Sequence, residues 1–130
     1  MQSFKNLKVW EKAHILTLEV YRATEAFPRS EMYGLTSQMR RSAASIGANI
    51  AEGTCRSGDR EFGRFLQVAM GSASELEYHL LLAHDLAMLK SMDYERLSGE
   101  VIEVKCMLSS FLFKLRADGG ERQVAKGQTC

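Results

Sequence analysis

The sequence predicts an all-α protein, an antiparallel up-down-up-down four-helix bundle that self-associates into a homo-oligomer. Three observations predict it. Apolar residues recur at alternating steps of three and four along four separate stretches, and the period-two alternation of strands is absent. A single proline, seven methionines and few β-branched residues lean the composition toward helix. The stretch from Glu31 to Arg56, EMYGLTSQMRRSAASIGANIAEGTCR, keeps helical spacing while rich in Gly, Ala and Ser, and carries a polar stripe beside its apolar one. A helix built that way expects close neighbours on more than one side.

Each helix has its own start, stripe and stop. Asn6 can cap a first helix over 7–27, which Pro28 ends. Its semi-apolar stripe reads Leu7, Trp10, Ala13 with His14, Thr17, Val20 with Tyr21, Thr24 and Phe27. Ser30 can cap a second helix over 31–56, whose core stripe is Leu35, Met39, Ala43, Ile46, Ile50 and Gly53. Ser57 can cap a long third helix over 58–89, with Phe62, Phe65 and Leu66, Ala69, Ala73, Leu76, Leu80, Ala83 and Ala87 on one face. Asp93 can cap the fourth, over 94–116, with Leu97, Val101, Val104, Leu108, Phe111 with Leu112, and Leu115 inward. Residues 118–130 lack periodicity and read as a disordered tail after a single domain over 1–117. Short connections make consecutive helices antiparallel neighbours.

Composition narrows the function classes. The net charge of +1, from 17 basic and 16 acidic residues, gives no bulk field toward nucleic acid or membrane, so a basic surface must come from local clustering. Cys55, Cys106 and Cys130 form no CxxC pair and no even framework, which reads as reduced thiols. With no apolar run suited to a signal peptide or a membrane span, the expected location is cytoplasmic.

Taken in order, several blocks resemble one family. Phe4, Leu7, Val9 and Trp10 open it, and Tyr21, Thr24, Phe27 and Pro28 close the first helix. Tyr33-Gly34-Leu35, Gln38, Arg40-Arg41, Ser45-Ile46 and Asn49-Ile50-Ala51-Glu52-Gly53 follow, then Phe65-Leu66, Gly71-Ser72 and Glu75-Leu76-Glu77. Over roughly residues 4–116 the chain resembles the bacterial four-helix-bundle proteins first noticed as reading frames in intervening sequences of large-subunit ribosomal RNA. The accessory variability determinant of diversity-generating retroelements is similar to them. The resemblance implies a barrel-shaped homopentamer and, for the retroelement members, binding to a reverse transcriptase and to nucleic acid through a basic surface. For the intervening-sequence members no enzymatic activity is established. The balanced charge of this chain departs from the strongly basic retroelement members.

Two sets of residues are candidates for something specific. The first is a polar network or interface made of Gln38, Arg41, Ser45, Asn49, Glu52 and Glu75. A turn near residues 56 and 57 would set Arg41 level with Glu75, and Glu52 level with Arg60 and Arg64, while Glu52 also precedes Arg56 by the favourable four residues. The second is a nucleic-acid surface made of Arg40, Arg41, Arg56, Arg60, Arg64, Lys5, Lys8 and Lys12. The competing reading makes those arginines internal ion-pair partners and the lysines a solvated face. Glycines in helices 2 and 3, including Gly63 and Gly71, cost about 1 kcal/mol each relative to alanine and ask for close approach of a neighbouring helix or subunit.

Metal and catalytic readings are weaker. Glu11-x-x-His14 is the lone motif of the di-iron type, Glu75 and His79 are four apart, and no Gly-x-Ser-x-Gly or phosphate loop occurs. No cofactor is expected. The sequence therefore reads as a non-enzymatic homo-oligomeric scaffold or adaptor for nucleic acid or an enzyme acting on it. The alternatives are a purely structural oligomer and, more remotely, a small-ligand or metal-binding bundle.

Overall fold

Four helices alternate in direction and pack in sequence order around one apolar core. The computed structural model describes residues 3–118, the Asp118 side chain excepted. After a 3-10 turn over Phe4–Asn6 come α1 (Lys8–Thr24), a second 3-10 turn over Arg29–Glu31, α2 (Leu35–Thr54), α3 (Asp59–Asp85) and α4 (Ser91–Asp118). Neighbouring pairs α1–α2, α2–α3, α3–α4 and α4–α1 are all in contact, which closes the bundle. The tail expected over 118–130 lies outside the described residues, apart from Asp118 at the end of α4.

The core follows the apolar stripes of α2, α3 and α4 closely. Leu35, Met39, Ala43, Ile46, Ile50 and Gly53 are buried on α2, as are Leu66, Ala69, Ala73, Leu76, Leu80 and Ala83 on α3. Leu97, Val101, Val104, Leu108 and Leu112 complete it from α4. On α1 the inward face is turned from the expected stripe. Val9, Ala13, Leu16, Val20 and Thr24 are buried, whereas His14 and Tyr21 are exposed. The aromatic side chains explain the offset. Trp10 and His14 stack with ring centroids 4.9 Å apart, Phe4 meets Trp10 edge-on at 5.0 Å, and this cluster lies along the side of α1 facing α2. Gly47 makes room there, since a Cβ on it would stand 3.3 Å from Trp10 Nε1.

Helix ends differ from the expected caps. The N-caps are Leu7, Gly34 and Gly58, none of which offers a side-chain cap. For α2 the missing acceptor comes from Glu31, whose Oε1 accepts the Leu35 N–H at 3.1 Å. At its other end α3 stops at Asp85, short of the expected residue 89, because Ala87 adopts a left-handed conformation with φ 61°. The Met88 N–H then bonds Ala83 O and the Ala87 N–H bonds His84 O, both at 2.9 Å, a Schellman closure. Alanine in that conformation is strained, and glycine is not. Ala87→Gly is expected to stabilise the fold by about 1 kcal/mol, seen as a rise of roughly 4 °C in the thermal midpoint.

Ion pairs fix the register of α4. Lys12 of α1 reaches Glu103 at 3.3 Å, Lys105 reaches Glu77 of α3 at 2.8 Å, and Arg96 pairs with Glu19 of α1. Arg96 also lies 3.4 Å from Asp93 and 3.6 Å from Glu100. Burial holds the Glu100 carboxyl above its ordinary range, against the pull of Arg96 and Lys12. The folded protein therefore binds this proton more tightly than the unfolded chain, so the contribution of Glu100 to stability falls as pH rises through the raised value. Glu100→Gln removes that loss. Its thermal midpoint, measured against the parent protein, is expected to gain as pH rises from below the ordinary carboxylate range to above it.

Candidate nucleic-acid interface

The structure divides the candidate residues into three groups, one turned into the fold, one along the exposed sides and one gathered at an end of the bundle. Arg40 belongs to the first. Its Nε donates to Thr24 Oγ1 at 2.9 Å and its Nη2 to Tyr21 O at 3.2 Å, with the guanidinium 4.7 Å from the Tyr21 ring centroid. Tyr21 O is one of the last four carbonyls of α1, which lack the usual backbone N–H partner; Thr24 Oγ1 reaches it at 3.1 Å, and Arg40 adds a C-terminal cap. Arg41, its neighbour in sequence, points out to solvent. Lys12 is held by Glu103.

Within the polar stripe, the contacts that form are short-range. Ser45 Oγ lies 2.8 Å from Ser72 Oγ of α3, and Asn49 Nδ2 donates to Ser45 O and Oγ at 2.8 and 3.0 Å. This joins α2 to α3 through half-buried hydroxyls. Gln38 and Arg41 stay exposed beside it. The structure does not bring Arg41 to Glu75, nor Glu52 to Arg60 or Arg64. Glu52 instead pairs with Arg56 one turn on, both about half exposed, and Arg64 pairs with Glu61 at 3.2 Å. Exposure that high makes the Glu52–Arg56 pair a solvent-screened one worth at most about 1 kcal/mol, well below a buried pair. Glu75 has His79 Nε2 at 3.9 Å, and His79 itself is buried with Nδ1 unpaired among the described residues.

The alternation of helix directions then concentrates charge. It sets the start of α1, the end of α2, the start of α3 and the end of α4 at one end of the bundle. Lys8 and Lys114 line one groove there, with Val9 and Met107 among the residues between them. Arg60, Arg64 and Arg116 line another, between α3 and α4, over Leu112 and Leu115. Lys5 in the opening 3-10 turn and Arg56 just beyond α2 belong to the same end. The carboxylates among them are Glu11, Glu52, Asp59 and Glu61, and two of these, Glu52 and Glu61, are occupied by Arg56 and Arg64. Arg64, with Arg56 and Arg60 adding to its field, holds the Glu61 carboxyl below its ordinary range. Glu19, Glu31, Asp85, Asp93, Glu95 and Glu100 sit toward the opposite end. A near-neutral chain thus folds into a molecule with one basic end.

Phe65 anchors that end. The Arg56 and Arg64 guanidinium carbons lie 5.1 and 4.7 Å from its ring centroid, so both planes are held in place by cation–π contacts. Arg60 and Arg116 make no ion pair among the described residues, and sequence reasoning missed Arg116 altogether. Its signal was topological: the last turn of the fourth helix must return beside the start of the third.

Among the described residues no group of three or more His, Cys, Asp or Glu comes together to hold a metal. His14 is occupied in stacking on Trp10. His84 sits in the last turn of α3, stacked on Tyr94 at 4.6 Å with Nε2 3.1 Å from Ser91 Oγ. No helix among the described residues is long and apolar enough to cross a membrane.

Comparison with known proteins agrees with this architecture. A family model described as 23S rRNA-intervening sequence protein matches residues 5–110. A solved structure from Bacteroides thetaiotaomicron, described as a protein of unknown function from the S23 ribosomal protein family, is 25% identical in sequence. It superposes with a TM-score of 0.73 over 80% of this chain and 97% of that one. No curated protein matches the chain. The matched span takes in α1, α2, α3 and most of α4, and on that ground the chain belongs to the 23S rRNA-intervening sequence protein family.

Proposed function

We propose that this protein is a non-enzymatic, homo-oligomeric scaffold that binds nucleic acid through the basic end of its bundle. The observation that carries the reading is the gathering of Lys5, Lys8, Arg60, Lys114 and Arg116 at one end, none of them in an ion pair among the described residues. Phosphates are what such a surface recognises without needing a deep pocket. Assembly would repeat the surface in every subunit, so that weak contacts add through avidity. Exposed apolar side chains on the outer faces of α1 (Ile15, Leu18) and α3 (Val68, Tyr78) support assembly. So does Gly71 on α3, where a Cβ would meet nothing within 4 Å, leaving its helix cost without compensation inside one subunit. A pentamer is the subunit number in line with the family resemblance.

The test is binding of the purified protein to labelled structured RNA, single strands and duplex DNA across a salt series, with light scattering for the assembled mass. Saturable binding that weakens steeply with salt supports the reading, and absence of binding at low salt sinks its nucleic-acid half. A mass equal to one subunit over the working concentrations sinks the oligomer. The second reading, a purely structural oligomer, is favoured by the contacts that Arg40, Arg56, Arg64 and Lys12 make within their own subunit. The retroelement likeness extends the proposal to a reverse transcriptase as protein partner, which co-purification would reveal.

A further inference from the structure

Of the two grooves at the basic end, the one between the start of α3 and the end of α4 has a composition that a plain electrostatic patch does not need. It encloses about 490 Å³, within the range of small-ligand sites. Its floor is apolar, built from Leu112, Leu115 and the bare backbone of Gly63, and its rim carries Arg60, Arg64, Arg116 and Gln67. Leu112 is buried and Arg116 half-buried, so part of the Arg116 side chain is covered where it lines this groove. Arg64 is paired with Glu61 and held over Phe65, which leaves Arg60 and Arg116 as the cations with no ion-pair partner among the described residues.

Each part answers a different piece of one ligand. Two unpaired guanidiniums bind phosphate oxygens with forked donors. An aliphatic floor beside a guanidinium plane accepts the face of an unstacked base, which a duplex keeps hidden. The Gln67 amide offers both a donor and an acceptor to a base edge. Asp59 and Glu61 on the same rim oppose a ligand that is only a dense anion and favour one whose charge is spread beside a neutral ring. From this we infer that the groove of Gly63, Arg60, Arg116, Leu112 and Leu115 receives a single-stranded nucleotide, its phosphate on the arginines and its base on the leucines. The inference rests on the proposed function and sharpens it from nucleic acid in general to unpaired strand.

The test uses the full chain and two labelled oligonucleotides of equal length, an unstructured polyuridine and a blunt RNA duplex, titrated by fluorescence anisotropy over a salt series. Two variants separate charge from space. Arg116→Gln removes one phosphate contact and is expected to weaken single-strand binding and flatten its salt slope by about 0.7. Gly63→Leu fills the floor without changing charge. A Cβ at Gly63 would stand 3.8 Å from Leu112 Cδ2, an ordinary contact, and leucine favours helix over glycine, so this variant should fold, as its circular dichroism melt would show. It is expected to lower single-strand affinity by about tenfold with the salt slope kept, and to leave duplex binding as it was.

Gly63→Leu binding polyuridine as tightly as the parent would overturn the groove, and so would equal affinity for strand and duplex. Either result leaves the basic end itself intact as a nucleic-acid surface. Absence of binding to either RNA defeats the proposed function and this inference together. Arg116-dependent binding of a phosphopeptide without binding of polyuridine would also overturn it, by assigning the groove to another ligand class.

Discussion

Leu76→Ala is expected to cost about 2–5 kcal/mol and to lower the thermal midpoint by roughly 10 °C or more. Leu76 is fully buried on the inward face of α3, between the α2 and α4 contacts of that helix. Truncation removes apolar atoms from water-free surroundings and leaves a void that close-packed neighbours fill only in part. A domain of this size has about 5–15 kcal/mol of stability in total, so the loss is a large share of it. Urea unfolding checks it. The midpoint should fall with the slope unchanged, and Leu76→Met, which keeps the volume, should cost less than about 1.5 kcal/mol. A midpoint that stays put for the alanine variant would mean the interior is not the one described.

Gly53→Ala is expected to destabilise by about 1–2 kcal/mol, although alanine is the better helix former. The reason is distance. A Cβ at Gly53 would stand 2.7 Å from Phe62 Cδ1 and 3.1 Å from Phe65 Cβ, closer than packed carbons allow. Phe62 cannot swing away cheaply, because its ring meets Phe111 edge-on at 5.2 Å, and Phe65 lies under Arg56 and Arg64. The methyl group would push α2 and α3 apart where the chain turns. Gly71→Ala is the matched control, since nothing lies within 4 Å of its Cβ position, and it should gain about 1 kcal/mol. Paired urea titrations decide between the two signs. If Gly71→Ala also lowers the assembled mass, Gly71 lies between subunits.

The inward faces of α2, α3 and α4 were legible because their apolar residues are aliphatic or alanine at unbroken three-and-four spacing. The face of α1 was less so. Trp10, His14 and Tyr21 fit the period as well as Val9 and Leu16 do, and aromatic rings at a helix edge bury one side while exposing the other. Caps misled for a related reason. Asn6, Ser30 and Ser57 are good cap residues in isolation, yet the backbone placed Leu7, Gly34 and Gly58 at those positions, with Glu31 supplying the α2 acceptor. Reading the polar stripe by level alone set Arg41 beside Glu75. Level says nothing of azimuth, and Arg41 projects outward from the bundle.

By itself the sequence determined the fold class, the four helices and most of the core, because periodicity and turn placement are local properties that sum along a chain. Family membership was legible too, in short blocks such as Asn49-Ile50-Ala51-Glu52-Gly53. Only the tertiary structure decided which charges act together. A net charge of +1 hides a basic end, because antiparallel packing carries Lys8, Arg60 and Arg116 from distant parts of the chain to the same place. It also decided that Arg40 caps α1 while Arg41 faces solvent, a division set by one hundred degrees of helix rotation and invisible in the pair itself.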